Sequence, residues 1–132
     1  MRIFLRYWLP LIAWCAIIFW QSCFATPPVL PSWPLQDKMA HVGIYGVLAA
    51  LWIRAFNTLE AWSSRRRLLL ITGAVLSTLY GLSDEWHQSF VPARTADAFD
   101  LLADFIGSLI GSWIYLHFFV FRAKRSGLHP EA

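Results

Sequence analysis

The sequence sets out its chemistry at intervals of three and four residues. Asp37, His41 and Tyr45 stand four apart, so one stripe of a helix would carry a carboxylate, an imidazole and a phenol. Tyr80, Asp84, His87 and Gln88 fall on one face of a second helix, with Glu85 about 100° away from Asp84. Asp97, Asp100 and Asp104 make a third stripe that runs on into Gly107, Ser108 and Gly111. Six acids therefore gather with two bases, Lys38 and Arg94, in a chain that is only 14% charged. Three kinds of chemistry suit such a set. A divalent metal could be held by Asp37, His41, Asp84, His87 and an acid of the third stripe, since imidazole and carboxylate suit zinc, manganese or iron. Acid–base catalysis would use Asp84 with Glu85 or His87. Recognition would have Lys38 and Arg94 read a phosphate or carboxylate while Gln88, Tyr45 and the acids hydrogen-bond a sugar or amine. Against all three stands a plainer reading, in which the charges neutralise one another and lock the helices together.

The elements that carry these residues belong in a membrane. The 132 residues are 58% hydrophobic, with eight tryptophans and ten phenylalanines, too apolar for water to cover. Four runs are long enough to cross a hydrocarbon core of about 30 Å: residues 7–24, 38–56, 68–86 and 99–121. A signal peptide is the alternative for the first, because Arg2 and Arg6 precede it and Ala25 follows; its length and bulky aromatics favour a retained helix. Small residues at Gly107, Ser108 and Gly111 let helices approach closely, so that stripe should face protein. The expected fold is an all-α, four-helix membrane bundle forming one domain over residues 1–132.

Basic residues set its orientation. Nine fall on one side (Arg2, Arg6, Arg54, Arg65, Arg66, Arg67, Arg122, Lys124, Arg125) and only Lys38 and Arg94 on the other, which puts both termini in the cytoplasm and the acid cluster outside. The basic pI of about 9.2 then reflects these cuffs, and no nucleic-acid partner is expected. The proline-rich loop 25–36 should be a stiff strap, and the last twelve residues a frayed tail. Cys15 and Cys23 are too far apart on one helix to bridge, and His117 and His129, with no second histidine expected beside them at one depth, are read as non-functional. A transport path is thin: below Asp104 only Thr72, Ser77, Thr78, Ser108 and Ser112 offer polar atoms.

The segments "DKMAHVGIYGVLAALW" and "SDEWHQSFVPARTADAFDLLADFIGSLIG" resemble the two signatures of the VanZ-like family, named for a teicoplanin-resistance protein. Asp37, Lys38, His41 and Tyr45 match the first. Asp84, Glu85, His87, Gln88, Phe90, Pro92, Arg94, Asp97 and Asp100 match the second, followed by Gly107 and Gly111. One departure is Asp104, where many relatives carry asparagine. The resemblance implies a small integral membrane protein of the cell envelope, in a bacterium that of the cytoplasmic (inner) membrane, with a link to teicoplanin susceptibility.

The combined expectation is an outward-facing site that binds or modifies an anionic lipid or lipid-linked cell-wall component. Lys38 and Arg94 read the anion, and Asp84, Glu85 and His87 form the reactive or cation-holding centre. Asp37 and His41 make a second wall, and Asp100 anchors Arg94. Topology is open to a direct check in a variant lacking Cys15 and Cys23. A membrane-impermeant thiol reagent should label Arg94→Cys in intact cells and reach Glu60→Cys only after lysis.

Overall fold

The computed structural model describes residues 1–24, 35–92 and 97–120. A π-helical turn, Phe4–Trp8, leads into α1 (Leu9–Ser22), where Pro10 occupies the first turn and costs no intrahelical bond. α2 (Gln36–Phe56) is followed by a single turn, α3 (Glu60–Ser63). α4 (Arg66–Gln88) and α5 (Ala98–Tyr115) complete the bundle, the last running on as a π-helical turn, Leu116–Val120. Counted together with their π-helical turns, the four long helices lie within three residues of the expected spans. Among the described residues there is no strand. The strap from Ala25 to Pro34, Arg94 and the tail from Phe121, which includes His129, lie outside the described residues.

Three stretches are long and apolar enough to cross a membrane: Phe4–Ser22, Gln36–Phe56 and Ala98–Val120. α4 has the length, 23 residues, or about 34 Å at 1.5 Å per residue. Its hydropathy is lowered by Arg66 and Arg67 at one end and Asp84 and Glu85 at the other. Its two faces show what surrounds it. Leu69, Gly73, Ala74, Ser77, Gly81, Asp84, Glu85 and Gln88 are buried, whereas Ile71, Val75, Leu79, Leu82 and Trp86 are exposed. α5 repeats the pattern, with Asp100, Ala103, Asp104, Gly107, Ser108 and Ser112 inside and Phe99, Leu102, Phe105, Leu109 and Trp113 outside. A core of small and polar residues inside a bulky apolar coat inverts the arrangement of a protein in water, and suits hydrocarbon.

The inner three helices α2, α4 and α5 hold the polar residues, and their contact depends on glycine. A Cβ on Gly107 would strike the backbone of Val42, and one on Gly111 the backbone of Gly46. Only glycine lets α2 and α5 come that close. α1 leans on the α2/α4 side through Leu11 and Ile18, which join Tyr45, Leu48 and Ala55 in one apolar cluster. Three polar clasps supplement it: Trp14 Nε1 donates to Ile44 O at 3.2 Å, Tyr80 OH donates to Cys15 O at 2.6 Å, and Ser22 Oγ meets His87 Nδ1 at 3.3 Å.

Gly107→Ala should push α2 and α5 apart and cost about 2 kcal/mol or more, since overpacking a close contact typically costs about 1–3 kcal/mol. Gly43→Ala adds the same methyl into open space and should stay within about 0.5 kcal/mol of the parent or gain slightly. Unfolding midpoints in detergent separate the two.

Candidate functional site

Helical period brings α2's Lys38, His41 and Tyr45 toward the other two inner helices, with Asp37 at the rim. Asp97 caps the start of α5, its Oδ1 accepting from Phe99 N at 2.8 Å, the usual aspartate service to a free helix-start N–H. Asp100 and Asp104 follow at one and two turns along α5.

The three helices are joined by a chain of polar contacts. The Lys38 ammonium donates to Asp97 Oδ2 at 2.6 Å and to Asp100 Oδ1, and lies 3.8 Å from Asp37. This ammonium holds the Asp97 carboxyl below its usual range, aided by the Phe99 N–H. His41 Nδ1 lies 2.8 Å from Asp104 Oδ1, while its Nε2 sits 4.0 Å from Asp100 Oδ2. Asp104 is 0% exposed, and its carboxylate presses on the α4 backbone where Gly81 leaves room for it. Glu85 Oε2 accepts from Asp97 N at 3.0 Å and so ties α4 to the start of α5.

Two expected groupings part company. Asp84 is buried and accepts from Tyr45 OH at 3.3 Å and from Gln88 Nε2 at 2.9 Å. It thus joins α2 to α4 with its partners in place. His87 turns the other way: its ring packs 4.8 Å from Phe19 and its nitrogens face Ser22 Oγ and Cys23 Sγ of the α1 end. Tyr80 likewise faces α1. The reason is rotational: residues 84 and 87 differ by about 60° around the helix axis, and because α1 and α2 lie on neighbouring sides of α4, that turn sends one to α2 and the other to α1. The structure therefore does not unite Asp84, Glu85 and His87. It does unite His41 with Asp100 and Asp104, and among the described residues Asp37, His41 and Asp100 offer a metal-like donor set, one atom of each lying within 4.8 Å of the others. Asp100, expected to anchor Arg94, holds Lys38; Arg94 lies outside the described residues.

Sequence reasoning passed over Ser22 as the partner of His87, and Gly46 and Gly81 as close-approach points. A signal for Gly81 was present, because Gly73, Ser77 and Gly81 repeat at four residues on α4 just as Gly107 and Gly111 do on α5. Ser108 and Ser112 are fully buried below Asp104.

The family described as VanZ/LLP1 matches the chain over residues 7–122. An uncharacterized protein of the fission yeast Schizosaccharomyces pombe is 35% identical over 80 residues, which cover 61% of this chain and 46% of the relative. The chain thus spans less than half the length of that curated relative. No solved structure matches.

Removing Lys38 should leave Asp97 and Asp100 facing each other without a counter-ion. Lys38→Met is expected to lower stability by about 1–3 kcal/mol. Adding Asp100→Asn should restore most of the loss, since the half-buried charge goes with it. A double-mutant cycle in detergent measures the coupling, and additive losses would disprove it.

Proposed function

The chain belongs to the VanZ/LLP1 family, and from that membership we propose that this membrane protein binds, at the outer end of its bundle, the polar headgroup of an anionic lipid or lipid-linked cell-wall component. The observation that carries this reading is a cluster closed at the bottom and open at the top. Asp104 is fully buried and Asp100 nearly so, whereas the side chains of Asp37, Lys38 and Asp97 are 67%, 26% and 38% exposed. A lock between helices has no use for so open a mouth. Beside it an open, mostly apolar groove of about 320 Å³ runs between α4 and α5, lined by Leu82, Trp86, Ala98 and Leu101 together with the polar Glu85, Ser89 and Asp97. A ligand that is polar at one end and apolar at the other fits that mixed lining.

On this reading Lys38, when released from Asp100, meets the ligand's anion, and Arg94 is the second cation assigned to it from the sequence. Asp37, Glu85 and Asp97 accept hydrogen bonds from hydroxyl or amine groups. Asp84, Tyr45 and Gln88 hold α2 against α4, and Gly107 and Gly111 seat α2 on α5. His87 secures α1 and stays out of the reaction.

A second reading adds chemistry to binding. A buried carboxylate on His41 Nδ1 leaves Nε2 as a proton acceptor facing the mouth, which is the arrangement of a general base. His41, in place of His87, would then activate a hydroxyl of the headgroup or a water.

In a bacterium the membrane would be the cytoplasmic one, and capture of a wall precursor would alter teicoplanin susceptibility. The yeast relative favours a lipid headgroup over a bacterial wall precursor, because a yeast has no such wall to serve.

Protein in nanodiscs of phosphatidylcholine doped with phosphatidylglycerol should retain phosphatidylglycerol preferentially when released for native mass spectrometry. Arg94→Ala should reduce that enrichment about tenfold, the value of one charge-assisted contact of about 1.4 kcal/mol. Equal enrichment in both proteins, or none in either, would refute an anionic headgroup.

A further inference from the structure

We propose that Asp37, His41 and Asp100 form a divalent transition-metal or zinc site, with Asp104 fixing His41 from behind and Lys38 holding the cation's place until the metal arrives.

Asp37 and His41 stand one turn apart on α2, a spacing that points two side chains at one spot. Asp100 reaches the same spot from α5, and the three donor atoms lie within 4.8 Å of one another. Around a metal with bonds of about 2.0–2.2 Å, tetrahedral ligands are separated by roughly 3.4 Å, so closing the set needs only an inward turn of side chains. Asp37 is exposed and free to make it.

The histidine is already prepared. Metal-ligating histidines nearly always give their second N–H to a carboxylate or carbonyl, which sets the tautomer and the ring angle. Asp104 Oδ1 does this at 2.8 Å from Nδ1, leaving the Nε2 lone pair toward Asp100. One imidazole and two carboxylates select zinc, manganese or ferrous iron over calcium.

An independent observation points to a missing cation. Among the described residues two carboxylates near these ligands each keep a buried oxygen without a hydrogen-bond partner: Glu85 Oε1, and Asp104 Oδ2 on its side toward Gly81. Glu85 and Asp104 are 6% and 0% exposed, and the charge neighbours of Glu85 include Asp100, His41 and Asp104. Negative charge left uncompensated in an apolar bundle is costly. Among the described residues, five carboxylates, those of Asp37, Glu85, Asp97, Asp100 and Asp104, share one lysine and one histidine.

Lys38 explains how the site persists without metal. Its ammonium contacts Asp100 and lies 3.8 Å from Asp37, so it neutralises two of the three ligands. A divalent ion would displace it toward the mouth, where it meets the headgroup phosphate; that last step alone rests on the function proposed above.

The test uses the full-length, tag-free protein in detergent, stripped with chelator and titrated separately with Zn²⁺ and Mn²⁺ by calorimetry. The wild type should bind about one equivalent of at least one ion and unfold at a higher temperature with it. Asp37→Asn, at an exposed position that folding does not need, should lose at least tenfold in affinity. Lys38→Met should bind at least tenfold more tightly, and the metal should restore the stability that the substitution removes. No binding by the wild type, unchanged affinity in Asp37→Asn, or unchanged or weaker affinity in Lys38→Met each overturns the site. Metal binding that persists while phosphatidylglycerol enrichment is absent would sustain the site and refute the headgroup reading; the reverse result would refute the site alone.

Discussion

The contact between His41 and Asp104 is the constraint around which the rest is arranged. It sets a carboxylate and an imidazole 2.8 Å apart at a depth where an unpaired charge would cost several kcal/mol. The pair can form only because α2 and α5 meet backbone to backbone at Gly46, Gly107 and Gly111, and because Gly81 opens α4 to the Asp104 carboxylate. Glycines weaken isolated helices in water. In a bilayer, where apolar side chains gain nothing by leaving lipid for protein, close packing and interhelical hydrogen bonds take over as the source of association. The glycine stripe and the polar stripe are thus one device: the first brings the helices to the distance at which the second can pair.

What the pairing leaves over gives the molecule its character. Asp84 is satisfied by Tyr45 and Gln88 and serves as a strut. Asp104 and Glu85 each keep one buried oxygen without a partner. A network optimised only to hold helices would satisfy these first. Unsatisfied acids at the floor, exposed ones at the rim and a lysine between them are the features on which the proposed site rests. Among the described residues the middle of the helices is coated with bulky apolar side chains, so the proposed ligand would enter at the mouth or along the α4/α5 groove.

Much of this was legible in the residues. Four hydrophobic runs fixed the four long helices, counted with their π-helical turns, to within three positions, because length and apolarity are local properties. The polar stripes on α2 and α5 followed from the period of 3.6, and Gly107 with Gly111 marked a face that meets protein. Facing partners were not legible, since they depend on how far each helix rotates about its axis. His87 has the same spacing argument as Asp84, yet it belongs to α1, and only the packing of Phe19 and Ser22 decides that. The α4 helix also reads ambiguously by hydropathy, because it carries the cluster's acids at one end and the arginine cuff at the other. Its exposed apolar stripe of Ile71, Val75, Leu79, Leu82 and Trp86 becomes visible only when its faces are separated.

The most direct measurement is a density map of the protein purified with native lipid and metal retained. A ligand site requires density above Asp100, between Asp37 and His41, with the Lys38 ammonium moved away from Asp100. An empty, closed cluster, with Lys38 still bridging Asp97 and Asp100 and ordered water completing Asp104 and Glu85, would contradict it and leave the polar residues as a lock between helices.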